Sequence, residues 1–317
     1  MLNLVKNESV KLLKRPSTYI MIALIVVGTI LFGFLTQWLH SNSKNDSNND
    51  WKQGLQQDIE LYEQEYENTN EEWYKNWMES QIAINQYRIE NDIPPSYVDY
   101  SMWSFIDESS LMITFVGLFV IIIASGIVAN EYSRGTIKML LVKPYKRWKI
   151  LLSKYITVIL SLLFLLAILF ITAAITGALF FGLGDTNAVY LTYENGQVIE
   201  QSLLLYLIKL YVLSSVSTLL LATMAFMISA VFRTSGLAVG ISIFLLLVGP
   251  IITSNLANHF EWTKYTLFAN TDLMQYLEGT VLMDGMTLEF SLVILAIHLI
   301  LFLAISFYLF NKRDVSA

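Results

Sequence analysis

Six apolar runs constrain this chain more than anything else in it. They lie at about residues 17–38, 111–130, 150–181, 203–231, 236–254 and 291–311. An apolar stretch of roughly 18–20 residues is what a helix needs to cross the hydrocarbon of a bilayer, because every backbone polar group must be satisfied inside the segment. The expected fold class is therefore an all-α polytopic membrane protein with six transmembrane helices. The apolar run near the amino terminus follows "MLNLVKNESVKLLKRPST" and is about 20 residues long. That is long for a signal peptide, and no small-x-small cleavage site leads into a soluble chain, so it reads as a retained first span.

Charge sets the expected orientation. With the amino terminus inside, the inner segments collect Lys6, Lys11, Lys14, Arg15, Arg134, Lys138, Lys143, Lys146, Arg147, Lys149, Lys154, Arg233, Lys312 and Arg313, 14 of the 20 basic residues. The only acids there are Glu8, Glu131 and Asp314. The positive-inside rule then places both termini in the cytoplasm of a multi-pass protein of the plasma membrane. Residues 39–110 fall outside and hold 15 acids against four bases, a net of −11 in a chain whose total is −6. Aromatic and aliphatic residues recur there at three- and four-residue spacing, first Trp51, Leu55, Ile59, Tyr62 and Tyr66, then Trp73, Trp77, Ile84 and Tyr87. "ENTNEE" lies between the two series, with Asn68 or Thr69 as a cap, and Pro94-Pro95 ends the second. The pattern predicts an external helical hairpin; an acidic solvated spacer is the alternative. The chain thus divides into 1–38 (interfacial helix and first span), 39–110 (acidic hairpin) and 111–317 (membrane domain with spans two to six). Residues 255–290 read as short external helices at the membrane surface, Asn270 or Thr271 capping one that runs to Gly279, and 183–202 as a short turn-rich loop.

Several chemistries find no support. Cysteine is absent, which removes disulfides and thiol catalysis, and there are three histidines. No phosphate-binding loop, His-Glu-x-x-His or Gly-x-Ser-x-Gly occurs. The six runs contain no acid pair for a proton relay and no filter loop. Among polar residues in the spans, His298 is expected to bond a neighbouring carbonyl, Lys209 to snorkel, the Ser and Thr of span four to serve packing, and Gly249-Pro250 to kink or end span five.

The densest chemistry lies in "VANEYSRGTIKMLLVKPYKRWKI", residues 128–150. Ile137, Leu140 and Leu141 sit at helical spacing among Arg134, Lys138 and Lys143, which describes a short amphipathic helix at the inner surface. Gly135-Thr136 allows a turn or cap before it, Pro144 ends it, and Lys146 and Arg147 fix re-entry into the membrane. A plain basic loop attracting anionic lipid would carry the same residues.

The stretch "NEYSRGTIKMLLVKPYKRWKILLSKY" resembles the connection after span two in permease subunits of ABC-2-type exporters. The shared pattern is Glu131, then Gly135 and Thr136, the apolar Ile137 to Val142, Pro144 and the basic Arg147. "VKNESVKLLKRPSTYI" is similar to the interfacial helix that precedes the first span in that family. The resemblance implies an ABC-2 exporter-like fold in which about 131–147 forms a coupling helix docked on a separate ATP-binding subunit. Two such subunits and a second permease chain, either an identical copy or a sister permease, would complete the unit. Glu131, Arg134, Gly135, Thr136, Ile137, Lys138 and Met139 would contact the ATPase, with Glu131 anchoring the helix start through its charge and free backbone amides. Pro144, Lys146 and Arg147 would close the coupling helix and lead back into the membrane. This chain would then be no enzyme and bind no cofactor of its own, ATP and Mg belonging to the partner. Membrane lipid is an expected partner and nucleic acid is not. A reading of another class stays beside it: a membrane sensor or immunity protein that binds an extracellular ligand through 39–110.

Overall fold

The computed structural model describes residues 1–43, 51–69, 72–96, 98, 100–136, 145–184, 189–194, 196–278 and 280–312. It opens with a short amphipathic helix, α1 (Leu2–Leu13). Thr18 closes the turn that follows by donating from Oγ1 to the Leu12 carbonyl, 2.7 Å. Pro16 starts α2 (Pro16–Ser43), at a position where its missing N–H costs nothing. Next come α3 (Trp51–Asn68) and α4 (Glu72–Asn91). They lie against each other, with Tyr62 edge-on to Trp77 and Lys52 paired to Asp92 at 2.7 Å. Asn68 is turned back along α3, its Nδ2 donating to the Gln64 carbonyl.

Among the described residues six helices are long and apolar enough to cross a membrane, and the chain is a multi-pass membrane protein. The first is α2. The second starts earlier than its apolar run: α5 (Met102–Glu108) continues through a 3₁₀ turn (Ser109–Met112) into α6 (Ile113–Ser133). Phe105 and Ile106 are fully buried there, and Asp107 and Glu108 belong to this helix's first turns. Both acids lie ahead of the apolar run at 111–130, which itself holds no acid. The third span is α7 (Arg147–Phe181).

Residues 183–202, read from sequence as a loop, contain a two-stranded antiparallel hairpin, β1 (Val189–Glu194) and β2 (Gln197–Ser202). Gly196, just before β2, takes φ +80°, and the sequence there reads Asn-Gly, a pair that favours two-residue hairpin turns. The fourth span, α8 (Leu203–Phe232), follows directly. The fifth, α9 (Ser235–Ala257), runs through Pro250 for another seven residues, so Gly249-Pro250 does not end it. A 3₁₀ turn (Glu261–Tyr265), α10 (Leu267–Thr271) and α11 (Gln275–Glu278) precede the last span, α12 (Leu288–Lys312). Asn270 does not cap a helix running to Gly279. It sits inside α10, donates to the Lys264 and Thr266 carbonyls and accepts from Ser291.

The core is the seam between α6 and α8, the two most buried spans. Between helices in lipid, packing and hydrogen bonds replace the hydrophobic effect. Ser229 of α8 does this work in both directions, donating to the Ser125 carbonyl at 2.6 Å and accepting from the Ala129 N–H at 3.0 Å. Tyr155 of α7 donates to Thr223, whose own hydroxyl donates to the Leu219 carbonyl. The span-four hydroxyls Thr218 and Thr223 are buried, as a packing role requires. α2 packs on α7, where Gly33 comes so close to Thr176 that an added Cβ would lie 2.6 Å from its methyl. His298 pairs its Nδ1 with the Ile294 carbonyl at 2.9 Å, and Lys209 donates to Gln201.

Candidate functional site: a buried ion cluster at the mouth of the 134–146 connection

Three elements meet where α6 ends and α7 begins, and α1 is the third. Seven residues into α7, about 10 Å along the helix axis at 1.5 Å per residue, stands Lys154, which is completely buried. Its Nζ lies 2.8 Å from Glu8 Oε2 on α1 and 3.5 Å from Glu131 Oε1 near the end of α6. Lys11, one turn beyond Glu8, places its Nζ 3.2 Å from both Glu8 Oε1 and Glu131 Oε1. Two carboxylates and two ammonium groups thus form a neutral cluster, with Glu8 and Glu131 each about 8 % exposed.

Local sequence explains how these charges arrive. On α7, Ile150, Leu151, Tyr155, Val158 and Leu162 form the buried stripe, and Lys154 falls in the middle of it. On α1, Glu8 shares the inward face with Leu12. Both charges are therefore pressed inward by apolar neighbours, and a buried charge persists only when paired and hydrogen-bonded. Burial alone would lower the pKa of Lys11. Glu8 and Glu131 outweigh that and hold it above the ordinary lysine value.

The connection itself leaves this cluster through a tight turn. α6 stops at Ser133, Arg134 donates its N–H to the Asn130 carbonyl, and Gly135 takes φ +70°, a left-handed conformation that suits glycine after a helix end. That turn swings Thr136 back so that its hydroxyl donates to the Glu131 carboxylate. Glu131 thus ties down both the helix end and the start of the connection. The partners described for Glu131 are the side chains of Lys11, Lys154 and Thr136; the free backbone amides it is expected to bond, at the start of the coupling helix, lie outside the described residues. Arg134 is exposed. Lys146 is the exposed residue before α7, and Arg147 at its first turn reaches the Asn311 carbonyl of α12, 3.4 Å. Ile137, Lys138, Met139 and Pro144 lie outside the described residues, and so does the amphipathic helix expected there.

Sequence reading found Glu131, Gly135 and Thr136. It placed Lys154 only in the tally of inner basic charges, and Glu8 only among the inner acids. The signal that could have found Lys154 is its position on the apolar stripe of α7.

Comparison with known proteins adds the following. Residues 80–316 match the model of a family described as "Protein of unknown function (DUF2705)". Over 319 aligned residues the chain is 48 % identical to "Uncharacterized protein YhcI" of Bacillus subtilis (strain 168), covering 100 % of both chains. It is 37 % identical over 198 residues to "Uncharacterized membrane protein YdbK" of the same organism, covering 62 % of this chain and 76 % of that one.

Proposed function

The chain belongs to the DUF2705 family, and from the buried ion cluster at the mouth of its 134–146 connection we propose that it is the transmembrane permease subunit of an ATP-driven, ABC-2-type exporter. The energy comes from a separate ATP-binding subunit that docks on the connection between the second and third spans. The carrying observation is the cluster of buried Glu8, Glu131 and Lys154 with the half-exposed Lys11 at its rim. A connection that receives a push must be held at its ends, or the push is lost in loop motion. Here Glu131 holds its start, Lys154 holds the helix to which it returns, and α1 is clamped to both. Moving the connection therefore moves α1, α6 and α7 together.

Other features are consistent with this reading. The chain has no nucleotide-binding motif of its own, so work on a substrate requires an outside energy source. Arg134 and Lys146 are exposed beside the clamp and offer positive charge to a partner. Spans α2, α9 and α12 keep most of their apolar surface uncovered, which suits lipid and a second permease chain. On this reading α1 and the 134–146 connection face the cytoplasm, and α3 with α4 forms an extracellular hairpin.

Detergent purification of the tagged full-length chain from its native membrane tests the proposal. A near-stoichiometric ATP-binding subunit should co-purify, and charge reversal at Arg134 and Lys138 should release it. Recovery of the chain alone under several mild detergents, or a complex indifferent to both reversals, would remove the docking assignment.

A further inference from the structure

At the opposite end of the molecule, α4, β1 and α11 enclose a cavity of about 540 Å³ that is open on one side. Cavities of roughly 300–1,000 Å³ are the size that takes small organic ligands. Its wall carries four aromatic rings, Trp77 of α4, Tyr190 and Tyr193 of β1 and Tyr276, together with two carboxylates, Glu79 and Glu278. Among the described residues lining it none is basic. Arg88, elsewhere on α4, donates to the Pro94 carbonyl at 3.0 Å and does not line the space.

We infer that this cavity binds an organic cation with an apolar body. Aromatic faces attract a cation through the ring quadrupole and cover its carbon skeleton, and carboxylates supply the opposing charge. An inorganic metal ion fits poorly, because among the described residues no group of three or more His, Cys, Asp or Glu side chains could hold one. The wall is built, too: Tyr193 donates its hydroxyl to Glu79 at 2.9 Å, so β1 fixes the carboxylate of α4. Tyr190 stacks on Tyr206 of α8 with ring centroids 3.4 Å apart, which ties the cavity to the fourth span. Partial desolvation, then the charges of Asp272 and Asp107, hold the Glu278 carboxyl above the ordinary range. The surplus of acids over residues 39–110 would draw cations toward the opening. This inference does not depend on the ATPase partner, and the test below contains none.

Tetraphenylphosphonium and tetraphenylborate have the same shape and opposite charge, which makes them the probes of choice. The full chain, reconstituted in nanodiscs of uncharged lipid, is dialysed to equilibrium against each, with empty nanodiscs subtracted. Saturable uptake of the phosphonium, and not of the borate, is expected. Glu278→Gln and Glu79→Gln should each weaken it by about fivefold or more, on the order of one partly exposed ion pair. Tyr193→Phe, which keeps the Glu79 charge, should weaken it less than Glu79→Gln. No saturable uptake, equal uptake of the borate, parent-like binding by both carboxamide variants, or a Tyr193→Phe loss as large as that of Glu79→Gln would each overturn the inference.

Discussion

At the residue scale, Lys154 is the position with most at stake. Its ammonium is fully buried and faces two carboxylates that are themselves almost buried. Removing one member of such a group leaves charge without compensation, whereas removing the whole group can be nearly neutral. Lys154→Met should therefore cost about 3–5 kcal/mol, read as a large fall in the thermal unfolding temperature of the detergent-solubilised chain. Adding Glu8→Gln to Lys154→Met should cost less than the two single changes summed, because residues in one network are coupled. A shift no larger than that of an exposed lysine such as Lys146 would mean that the cluster does not clamp. This residue also marks a limit of what one sequence discloses. Counting charges per loop treats Lys154 and Lys149 alike, since both lie near the start of a span. The difference lies in the face each presents, and the apolar stripe of α7 does carry that information. What no spacing within α7 carries is the identity of its partners, one of them 146 positions away on α1.

At the element scale, the six spans were legible because a bilayer demands a length and an apolarity that few other contexts require. The Gly135-Thr136 turn was legible for a related reason: glycine takes a left-handed turn without steric cost. The misread elements lacked so sharp a demand. The span-two helix starts at Met102 because α5 buries Phe105 and Ile106 against α7 and α8, a tertiary reward that outweighs two acids in its first turns. Each strand of the β1–β2 hairpin has only six residues, and the pair rests on α4, with Tyr87 donating to Glu200 and Tyr193 to Glu79. Proline within α9 removes one donor and frees one carbonyl, a loss a membrane helix tolerates when neighbours compensate. α11 also has a pH dependence with a definite sign. Glu278 holds its proton more tightly when folded, through burial and the charges of Asp272 and Asp107. The folded form then binds more protons than the unfolded form above the ordinary glutamate pKa. Local stability is thus greatest below that value and declines as pH rises through the raised one. Amide exchange over 275–278, corrected for its intrinsic pH dependence, should show more protection at mildly acidic than at neutral pH. Glu278→Gln should flatten the difference.

At the scale of the whole molecule, the two ends of the bundle differ in charge, and function depends on which faces the cytoplasm. An even number of spans puts α1, the 134–146 connection and the link between α8 and α9 at one end, with α3, α4, the β-hairpin and α10–α11 at the other. The first end gathers 14 of the 20 basic residues, so insertion with that end inside follows the positive-inside rule, and the reverse would oppose it at every loop. The chain has no cysteine, so orientation can be read from single introduced thiols without background. Gln56 on α3 and Ser133 at the end of α6 are both exposed. In intact cells a membrane-impermeant maleimide should label Gln56→Cys and leave Ser133→Cys untouched, and permeabilisation should open the second site. The reverse pattern would put the clamp on the outside, beyond the reach of a cytoplasmic ATPase, and the permease proposal would fall with it. The cation cavity would then face the cytoplasm, with its binding chemistry unchanged. Orientation therefore decides the energy source, while the phosphonium experiment decides the ligand, and the two outcomes can be told apart.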